Sequence, residues 1–404
     1  MGLEVKDRDW MVVGSSPDEM AARGFRPVGR DFPVFLHPRT GEEYALARTE
    51  RKTAPGYHGF VFNSSPDVSV EQDLGRRDLT MNAMAMDPDG NLIDPFGGAG
   101  DIRCGIIRHV SDAFREDPVR ILRTARFAAR YRGAGFSVAE QTLGMMSDMV
   151  DDGEADALVP ERVWQELFQA LCGPDVAQFI LTLRQCGALK KILPEVDALF
   201  GIPQTAKFHP EIDTGIHILM ALDAAEKISA DPVVRFAVLV HDLGKAMTPD
   251  DVLPSHRGHE MAGLDPIKGL CERLRVPGEF GKFALMVCRH HLNAHRIAKM
   301  NPGTVLRMLE QMDAFRSPGN IERFKQCCIA DSQGRAGHET DEAAHLDLMT
   351  DYHLAAGSVD EAGIASEVRA KGGSGRNAGV EIKNRIREAR LEQITQLRNR
   401  RAHA

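Results

Sequence analysis

Two acidic residues near the start of the chain are suited to hold a metal ion. Asp7 and Asp9 flank a single arginine in the segment KDRDW. If this segment is a strand, both side chains lie on the same face, because side chains alternate along a strand. Two such carboxylates repel each other unless a cation lies between them, and Mg²⁺ prefers oxygen ligands of this kind. The spacing indicates a magnesium site; the alternative is a solvated edge strand that neutralises its own charges.

A row of arginines lies further along, in EDPVRILRTARFAAR. Arg120, Arg123 and Arg126 are three residues apart, so on a helix they are neighbours that repel each other unless an anion lies beside them. The planar guanidinium group suits phosphate oxygens. Glu116 and Asp117 precede the row and add acceptors that can read the edge of a base. With the acidic pair, this row predicts nucleotidyl transfer from a metal-bound triphosphate; the alternative is a salt-bridged surface helix.

The second half of the chain carries many histidines around one His-Asp pair. His241 and Asp242 end the apolar segment VVRFAVLV, which predicts a buried helix with Gly244 as its C-cap. Lys245 follows and is placed to contact a phosphate or to favour the helix C-terminus. The other candidate ligands and helpers are His217, His256, His259, His290, His291, His295 and Asp331. Imidazole together with carboxylate suits Ni²⁺, Mn²⁺ or Co²⁺ better than Mg²⁺, so the pattern predicts a transition-metal centre.

The elements that must position these residues change character near residue 111. Before it, short apolar runs between Gly, Pro and Asp predict the strands of a small mixed sheet. After it, apolar residues recur at helical spacing and predict helices over 117–131, 160–173, 175–187 and 214–227. The stretch KGGSGRNAG at 371–379 predicts a solvated loop. A basic, amphipathic tail follows, and its apolar stripe predicts a packing helix or a dimer contact.

The overall composition is that of a globular protein with more than one core. The chain has 404 residues, a net charge of −8 and seven scattered cysteines without zinc-site spacing. Its length exceeds what one core holds, and reduced thiols in the cytoplasm are expected. No membrane span or signal peptide is expected. The acidic balance disfavours indiscriminate binding to nucleic acid but allows a local basic surface.

The segments KDRDW, RRDLTMNA, DPFGG and EDPVRILRTARF together resemble the class II CCA-adding enzymes, bacterial tRNA nucleotidyltransferases, in the branch that carries an HD domain. The resemblance implies an α+β protein. Its polymerase-beta-like nucleotidyltransferase head would span 1–113 with a mixed sheet lacking the first strand. An all-α neck and body would follow over 114–200, an all-α HD domain over 201–335, and a helical C-terminal tail over 336–404.

The resemblance also implies roles for residues of the head. Asp7 and Asp9 would be the Mg²⁺ ligands and the catalytic pair, and Glu43 is the candidate for a third carboxylate. The segment 47–57 would be a mobile loop that helps to switch nucleotide specificity. The residues implied to bind the nucleotide are Arg77, Arg123 and Arg126, together with an EDxxR template that selects CTP and then ATP, formed by Glu116, Asp117 and Arg120.

For the HD domain, the resemblance implies a phosphohydrolase centre in which a metal-activated water attacks phosphorus. Its ligands would be His217, His241, Asp242 and Asp331, with His241 and Asp242 as the catalytic pair and Ni²⁺ as a typical ion. The implied activities are 2′,3′-cyclic phosphodiesterase, 2′-nucleotidase and phosphatase. The implied partners are CTP, ATP and tRNA, which the family binds by shape and backbone, here through Arg130, Arg132 and the basic tail. A monomer or a homodimer is expected.

The sequence departs from the family at its beginning, where a strand and a GGxxRD block would precede KDRDW. Two interpretations are open: a start codon placed too late, or a genuine short form whose polymerase site binds Mg²⁺ and nucleotide but turns over poorly. Two other functions are also open. One is a poly(A) polymerase, although an HD pair and an acidic chain argue against it. The other is a tRNA-binding protein with an impaired polymerase site.

Overall fold

The computed structural model describes residues 8–28, 34–52, 60–207, 209–371 and 375–402. The chain forms two compact units, Met1–Pro194 and Glu195–Ala404. The first contains short strands and helices, and the described part of the second is helical. The α+β architecture and the switch from strands to helices predicted from the sequence are confirmed. The bounds of the four predicted domains stay predictions.

The first unit begins with a small mixed sheet in the order β1-β4-β3-β2. Strand β1 (Trp10–Val12) runs parallel to β4 (Glu43–Leu46), whereas β3 (Val34–Leu36) is antiparallel to both β4 and β2 (Arg26–Val28). Helix α1 (Pro17–Ala22) begins at a capping box in which Ser16 and Glu19 bond each other's backbone N–H. One face of the sheet buries Phe35 and Leu46 against Met20 of this helix.

The rest of the first unit continues from strand pairs to helices. In chain order, it contains β5 (Thr49–Lys52), β6 (Phe60–Asn63), α2 (Val70–Gly75), β7 (Ala85–Met86), β8 (Leu92–Ile93), α3 (Gly98–Cys104), β9 (Ile106–Ile107), α4 (Val119–Tyr131), β10 (Ser137–Val138), α5 (Glu140–Asp151), α6 (Pro160–Cys172), α7 (Val176–Gln185) and α8 (Ala188–Ile192), and α9 (Pro194–Asp197) begins at its last residue. Helix α4 buries Ile121, Leu122 and Ala125 and packs against α6 and α7. This burial fixes the arginines of α4 in place.

The second unit is built around an apolar helix. Its helices are α10 (Thr214–Ile228), α11 (Pro232–Val240), α12 (His259–Ala262), α13 (Leu264–Arg273), α14 (Gly278–Ala294), α15 (Pro302–Gln311), α16 (Gly319–Gln333), α17 (Asp347–Gly357), α18 (Glu361–Ala370) and α19 (Gly375–Ala402). Residues 233–240 of α11 are all buried, as expected for a helix that is apolar all round. It packs against α10, α14 and α16, so the residue pair that follows it lies among three helices.

Two local predictions need correction. Gly244 is not the C-cap of α11, which ends at Val240; it lies in a short 3₁₀ helix, Leu243–Met247. A Cβ there would lie 2.0 Å from the carbonyl oxygen of His259, so this glycine allows the start of α12 to approach closely. The loop predicted over 371–379 is wrong in its second half, because α19 already begins at Gly375. Helix α19 packs against α15, α17 and α18 and buries Ile394, as a packing helix does.

Among the described residues, the structure contains no helix that combines the length and the apolar character required to cross a membrane.

Candidate metal centre and nucleotide site

Four buried histidines of the second unit contact the backbone through the same ring nitrogen, Nδ1. In each, Nδ1 lies within hydrogen-bond distance of a backbone carbonyl, which can only accept a hydrogen bond, so Nδ1 carries the proton. The pairs are His217 with Gly334 (3.1 Å), His241 with Val238 (2.8 Å), His259 with His256 (2.7 Å) and His291 with Cys288 (2.9 Å). In a neutral ring, Nε2 is then a lone pair free to bind a cation.

The first group of lone pairs faces two buried carboxylates. His217 Nε2 lies 3.0 Å from Asp331 Oδ1 and 3.9 Å from Asp242 Oδ2. His241 Nε2 lies 3.4 Å from Asp242 Oδ2 and 3.7 Å from Asp331 Oδ1. Ligand atoms about 2.1 Å from one ion lie at such separations from each other. The structure thus brings together all four residues predicted from the sequence as ligands of the HD centre.

One buried atom tests whether a metal fits. His241 is 2 % exposed, and its Nε2 atom has no hydrogen-bond partner. A buried polar atom without a partner costs free energy, and here a lone pair faces carboxylate oxygens across 3.4 Å and more. A divalent ion among these atoms removes the repulsion. The donor set of two imidazoles and two carboxylates is of a kind that transition ions accept.

The charges of this centre also suit a bound cation. Burial lowers the pKa of His217, but the neighbouring carboxylates of Asp331 and Glu211 outweigh it, so the pKa is raised. Burial raises the pKa of Asp242, but His241 and Lys245 hold it well below its ordinary value. Asp331 likewise stays ionised beside Arg335, 3.0 Å away. The centre therefore presents anionic oxygens that are stabilised by positive charge.

Each ligand is positioned by helix packing. His217 lies on α10 and Asp331 on α16, and these two helices pack against each other. Gly334, just after α16, allows this approach, because a Cβ there would lie 2.6 Å from the Cα of Ala221. Asp213 caps α10 by accepting a hydrogen bond from the backbone N–H of Ile216, which fixes the turn that carries His217.

Glu211 is a residue of the centre that the sequence reasoning missed. Its Oε1 lies 3.0 Å from Nδ1 of His217 and 2.9 Å from Nδ1 of His209. Burial raises the pKa of Glu211, but the hydrogen bond from His217 outweighs this and the pKa falls to about 2. A carboxylate on the far nitrogen of a ligand orients the ring and makes it more basic. No spacing rule marks Glu211, since it lies in a loop before α10.

Four of the predicted helpers divide into two kinds. His259 and His291 face Asp242 from the other side, with Nε2 atoms 3.1 Å and 3.6 Å from its Oδ1. Lys245 Nζ lies 2.7 Å from Asp242 Oδ2. His256 instead contacts the carbonyl oxygen of Pro203 at 3.0 Å and the hydroxyl of Thr248 at 2.7 Å. Both ring nitrogens of His256 therefore contact neighbouring loop residues.

The head carboxylates are described only in part. Asp7 lies outside the described residues, and Asp9 is exposed directly before β1. In the parallel pair, Trp10 is opposite Tyr44 and the two rings stack at 5.5 Å. Extending this register by one residue places Asp9 beside Glu43, on the face opposite the stacked rings. Because the rings lie on the face that packs against α1, the two carboxylates lie on the other face.

The arginines predicted to bind nucleotide are held by acidic residues that the sequence reasoning did not select. Arg77 pairs with Asp73 at 3.3 Å, Arg123 with Asp78 at 2.7 Å and Arg126 with Glu166 at 2.5 Å. All three acidic residues are buried. These pairs hold guanidinium groups from α4 and from the segment after α2 in fixed directions, which reduces the entropy lost when an anion binds.

The residues of the EDxxR motif play different structural parts. Arg162 donates two hydrogen bonds to the carboxylate of Asp117, at 3.1 and 2.8 Å. Arg120 is buried and donates to the carbonyl oxygens of Ala113 at 2.7 Å and Arg76 at 2.6 Å. Arg120 thereby ties α4 to two preceding segments. Glu116 is half-buried at the end of a 3₁₀ helix, Asp112–Glu116.

Three family models match parts of the chain. The poly A polymerase head domain matches residues 30–108, a "Probable RNA and SrmB- binding site of polymerase A" matches 135–200, and the HD domain matches 214–318. The last range contains three of the four ligands described above and ends before Asp331. The order of the matched models agrees with the order of head, helical body and HD domain.

Full-length relatives are also similar. A protein of Methylococcus capsulatus named multifunctional CCA protein is 52 % identical over 405 residues, covering 100 % of this chain and 93 % of the relative. One of Laribacter hongkongensis with the same name is 56 % identical over 367 residues, covering 91 % of this chain and 90 % of the relative. Identity at this level over nearly the whole of both chains indicates common ancestry and a shared fold.

Solved structures at lower identity show the same fold. An apo CCA-adding enzyme superposes with a TM-score of 0.63 at 19 % identity, covering 98 % of this chain and 87 % of that one. A Thermotoga maritima CCA-adding enzyme complexed with tRNA gives a TM-score of 0.58 at 20 % identity, with 98 % and 87 % covered. A CCA-adding enzyme complexed with ATP gives 0.60 at 20 % identity, with 98 % and 85 % covered.

Proposed function

The chain belongs to the multifunctional CCA proteins, and from this membership we propose a CCA-adding tRNA nucleotidyltransferase with a second, HD-type catalytic centre. The head adds C, C and A to the 3′ end of tRNA from CTP and ATP. The HD centre hydrolyses phosphate esters, with 2′,3′-cyclic phosphodiesterase, 2′-nucleotidase and phosphatase activities. The relatives described above have this name, and they match nearly the full length of the chain.

The observation that supports a metal-binding head is the register of β1 and β4. It brings Asp9 and Glu43 to one face of the sheet, where Asp7 is expected to join them. Carboxylates grouped in this way suit Mg²⁺, which would lower the charge on the reacting phosphate and favour the attacking hydroxyl. In this proposal, Asp7, Asp9 and Glu43 hold the ion, and the tRNA terminus lies against this face.

The arginines supply the nucleotide site of the proposal. Arg77, Arg123 and Arg126 are paired in the structure with acidic residues, so a triphosphate binds by adding to or replacing these partners. Glu116, Asp117 and Arg120 select the base in a template of side chains. Arg120 already donates to two backbone carbonyls, which hold its guanidinium group in a fixed direction. Arg120→Lys, which loses the fork geometry, is expected to lose both tasks.

The test of the head is incorporation into tRNA that lacks CCA. CTP and ATP are supplied separately and together, and ordered addition of C, C and A is the expected result. Tracts of A would favour a poly(A) polymerase, and binding without incorporation would favour a tRNA-binding protein. Asp9→Asn is expected to abolish incorporation, whereas Asp89→Asn, a change at an exposed acidic residue of a turn, is the matched control.

The observation that supports the HD centre is the unpartnered Nε2 atom of His241 among buried carboxylates. His217, His241, Asp242 and Asp331 would hold a transition ion such as Ni²⁺, which lowers the pKa of a bound water and so supplies a nucleophile. Asp242 and Asp331 stay anionic, which keeps the ion bound, while Lys245 and Arg335 attract the anionic substrate. Water reaching phosphorus opposite the leaving group completes the hydrolysis.

The test of the HD centre is metal-dependent hydrolysis. After removal of metal by a chelator, activity toward 2′,3′-cyclic AMP and p-nitrophenyl phosphate is measured with Ni²⁺, Mn²⁺, Co²⁺ or Mg²⁺ restored. Asp331→Asn is expected to lose this hydrolysis and to keep CCA addition, and Asp9→Asn is expected to do the reverse. If either variant lost both activities while remaining folded, two independent centres would be the wrong description.

A further inference from the structure

A buried glutamine close to the HD centre has an N–H group without an acceptor. Gln204 is 3 % exposed, and its Nε2 atom makes no hydrogen bond to any of the described residues. Buried side-chain donors in folded proteins are almost always paired, because an unpaired donor loses its bond to water and gains no other bond. Gln204 therefore destabilises the free protein unless another molecule supplies the missing acceptor.

Lys245 fixes the orientation of this amide. Its Nζ atom lies 2.6 Å from Oε1 of Gln204 and 2.7 Å from Oδ2 of Asp242. An ammonium group only donates hydrogen bonds, so the amide atom that faces it is the oxygen, and the unpaired atom is the nitrogen. These two contacts use two of the three N–H groups of Lys245. Gln204 and Lys245 together thus hold donors close to Asp242, a proposed metal ligand.

The loop before α10 holds Gln204 in this position. The backbone N–H of Gln204 donates to the carbonyl oxygen of Ile212 at 2.6 Å, and the adjacent residues Pro203 and Asp213 form a β-bridge. Ile212 has a φ of 62°, which is unusual for a β-branched residue. Backbone strain of this kind persists only where the surrounding contacts impose it, and it is concentrated at functional sites. The position of Gln204 is therefore a built feature of the loop.

A second donor without an acceptor lies next to Asp331. Arg335 Nε is buried and makes no hydrogen bond within the part of the chain that the structure describes, although Nη2 of the same group lies 3.0 Å from Asp331 Oδ2. Each of the two carboxylates thus has a cationic side chain beside it, and each of these cations is accompanied by an unpaired N–H group. A phosphate group suits such a centre, because it carries several acceptor oxygens around one atom.

We propose that Gln204 is a substrate-binding residue of the HD centre, and that its Nε2–H group donates a hydrogen bond to a phosphate oxygen of the ester that is hydrolysed. This inference rests on the metal-dependent HD centre proposed above. One oxygen of the phosphate binds the ion, and a second oxygen accepts hydrogen bonds from Gln204 and from the remaining N–H group of Lys245. Gln204 thereby fixes the direction of the phosphate relative to the ion.

The experiment measures the binding of inorganic phosphate to the full-length, Ni²⁺-loaded protein by isothermal titration calorimetry, together with KM and kcat for 2′-AMP. Gln204→Met removes both the donor and the oxygen that faces Lys245. Gln204→Glu keeps an oxygen toward Lys245 and replaces the donor by a second oxygen. Gln185→Glu, at the exposed last residue of α7, is the matched control. Bound nickel is counted by mass spectrometry, and circular dichroism confirms that each variant is folded.

Both test variants lack the N–H group, so both should bind phosphate about 10–100-fold more weakly than the wild type, as expected for a hydrogen bond to a charged oxygen. KM for 2′-AMP should rise by a similar factor with little change in kcat, because the bond is present in the bound substrate and in the transition state alike. The amount of bound nickel should not change, since the contact between Lys245 and Asp242 does not involve Gln204. The control should match the wild type in every measurement.

The two test variants separate this contact from two other effects. If Gln204 only positioned Lys245, Gln204→Met alone would bind phosphate more weakly, and if only an added negative charge mattered, Gln204→Glu alone would do so. Either result, or wild-type phosphate binding in both variants, would overturn the proposed contact while hydrolysis by the wild type remained. An absence of metal-dependent hydrolysis in the wild type would instead overturn the HD centre, and this contact with it.

Discussion

Replacing Glu211 by glutamine changes one charge next to a proposed metal ligand and preserves the size of the side chain. Glu211 accepts a hydrogen bond from Nδ1 of His217 at 3.0 Å and is nearly inaccessible to solvent. The glutamine oxygen can still accept this bond, but a neutral amide makes the imidazole less basic than a carboxylate does. The substitution therefore weakens the Nε2 lone pair without moving the ring.

The size of the effect follows from the position of Glu211 behind the ligand. Loss of such an outer partner costs about 10–100-fold in metal affinity, or roughly 1.4–2.8 kcal/mol. Because His217 is one of four ligands, we expect the metal to bind more weakly rather than to be lost. Hydrolysis by Glu211→Gln should then need about 10–100-fold more metal for half-maximal activity and should approach the wild-type rate at saturation.

The assay measures metal affinity directly. Zn²⁺ or Ni²⁺ is titrated into metal-free protein against a chelating dye of known affinity, and phosphate ester hydrolysis is followed in parallel. Glu342→Gln, which changes an exposed glutamate of the same unit, is the control. CCA addition should be equal in all three proteins. A metal affinity for Glu211→Gln within twofold of the wild type would refute the argument that the carboxylate tunes His217.

Three further predictions concern packing and charge. Arg126→Ala leaves Glu166 buried without its 2.5 Å partner, so urea unfolding should show a loss of about 3–5 kcal/mol; a loss under 1 kcal/mol would contradict a buried pair. Gly244→Ala forces its Cβ to within 2.0 Å of the α12 backbone and should abolish HD hydrolysis but not CCA addition. Gly269→Ala, whose Cβ meets nothing within 4 Å, should keep both activities. Equal hydrolysis by the two variants would disprove the close approach. Burial raises the pKa of Asp78, but the paired guanidinium outweighs it and holds the pKa below its ordinary value of 3.8. The stability that this pair contributes is therefore fully present above pH 3.8 and is lost as the pH falls through the lower pKa. The free energy of unfolding of Asp78→Asn should then decrease less steeply below about pH 4 than that of the wild type. Parallel decreases in the two proteins would contradict this sign.

The fold and the family were predictable because they depend on local signals and on segments with a specific order. The apolar run before His241 predicted a buried helix, and α11 is buried along its length. The helices predicted over 117–131 and 214–227 correspond to α4 and α10 within two residues. The CCA-adding family, inferred from four segments, is confirmed by relatives that cover nearly the whole chain.

Several features of the two sites were not predictable because they depend on which distant residues meet. Asp78 and Glu166 hold Arg123 and Arg126, but each lies in a different element from the arginine row of α4. Glu211 lies behind His217 in a loop that carries no motif. Even the function of Gly244 was misread, because a glycine after a helix suggests a C-cap until the neighbouring helix is known.

The sequence by itself determined the residue types: histidines, carboxylates and arginines whose chemistry suits metals and phosphates, and the periodicity that sets strands and helices. Only the tertiary structure decided how these groups combine. His217 and Asp331 are 114 residues apart in the chain, and the packing of α10 on α16 brings them to 3.0 Å. Backbone carbonyls fix the proton on Nδ1 of four histidines, and the carboxylate of Asp242 divides their lone pairs into two groups. Both results arise from side-chain packing between helices, whose geometry no local stretch of sequence contains.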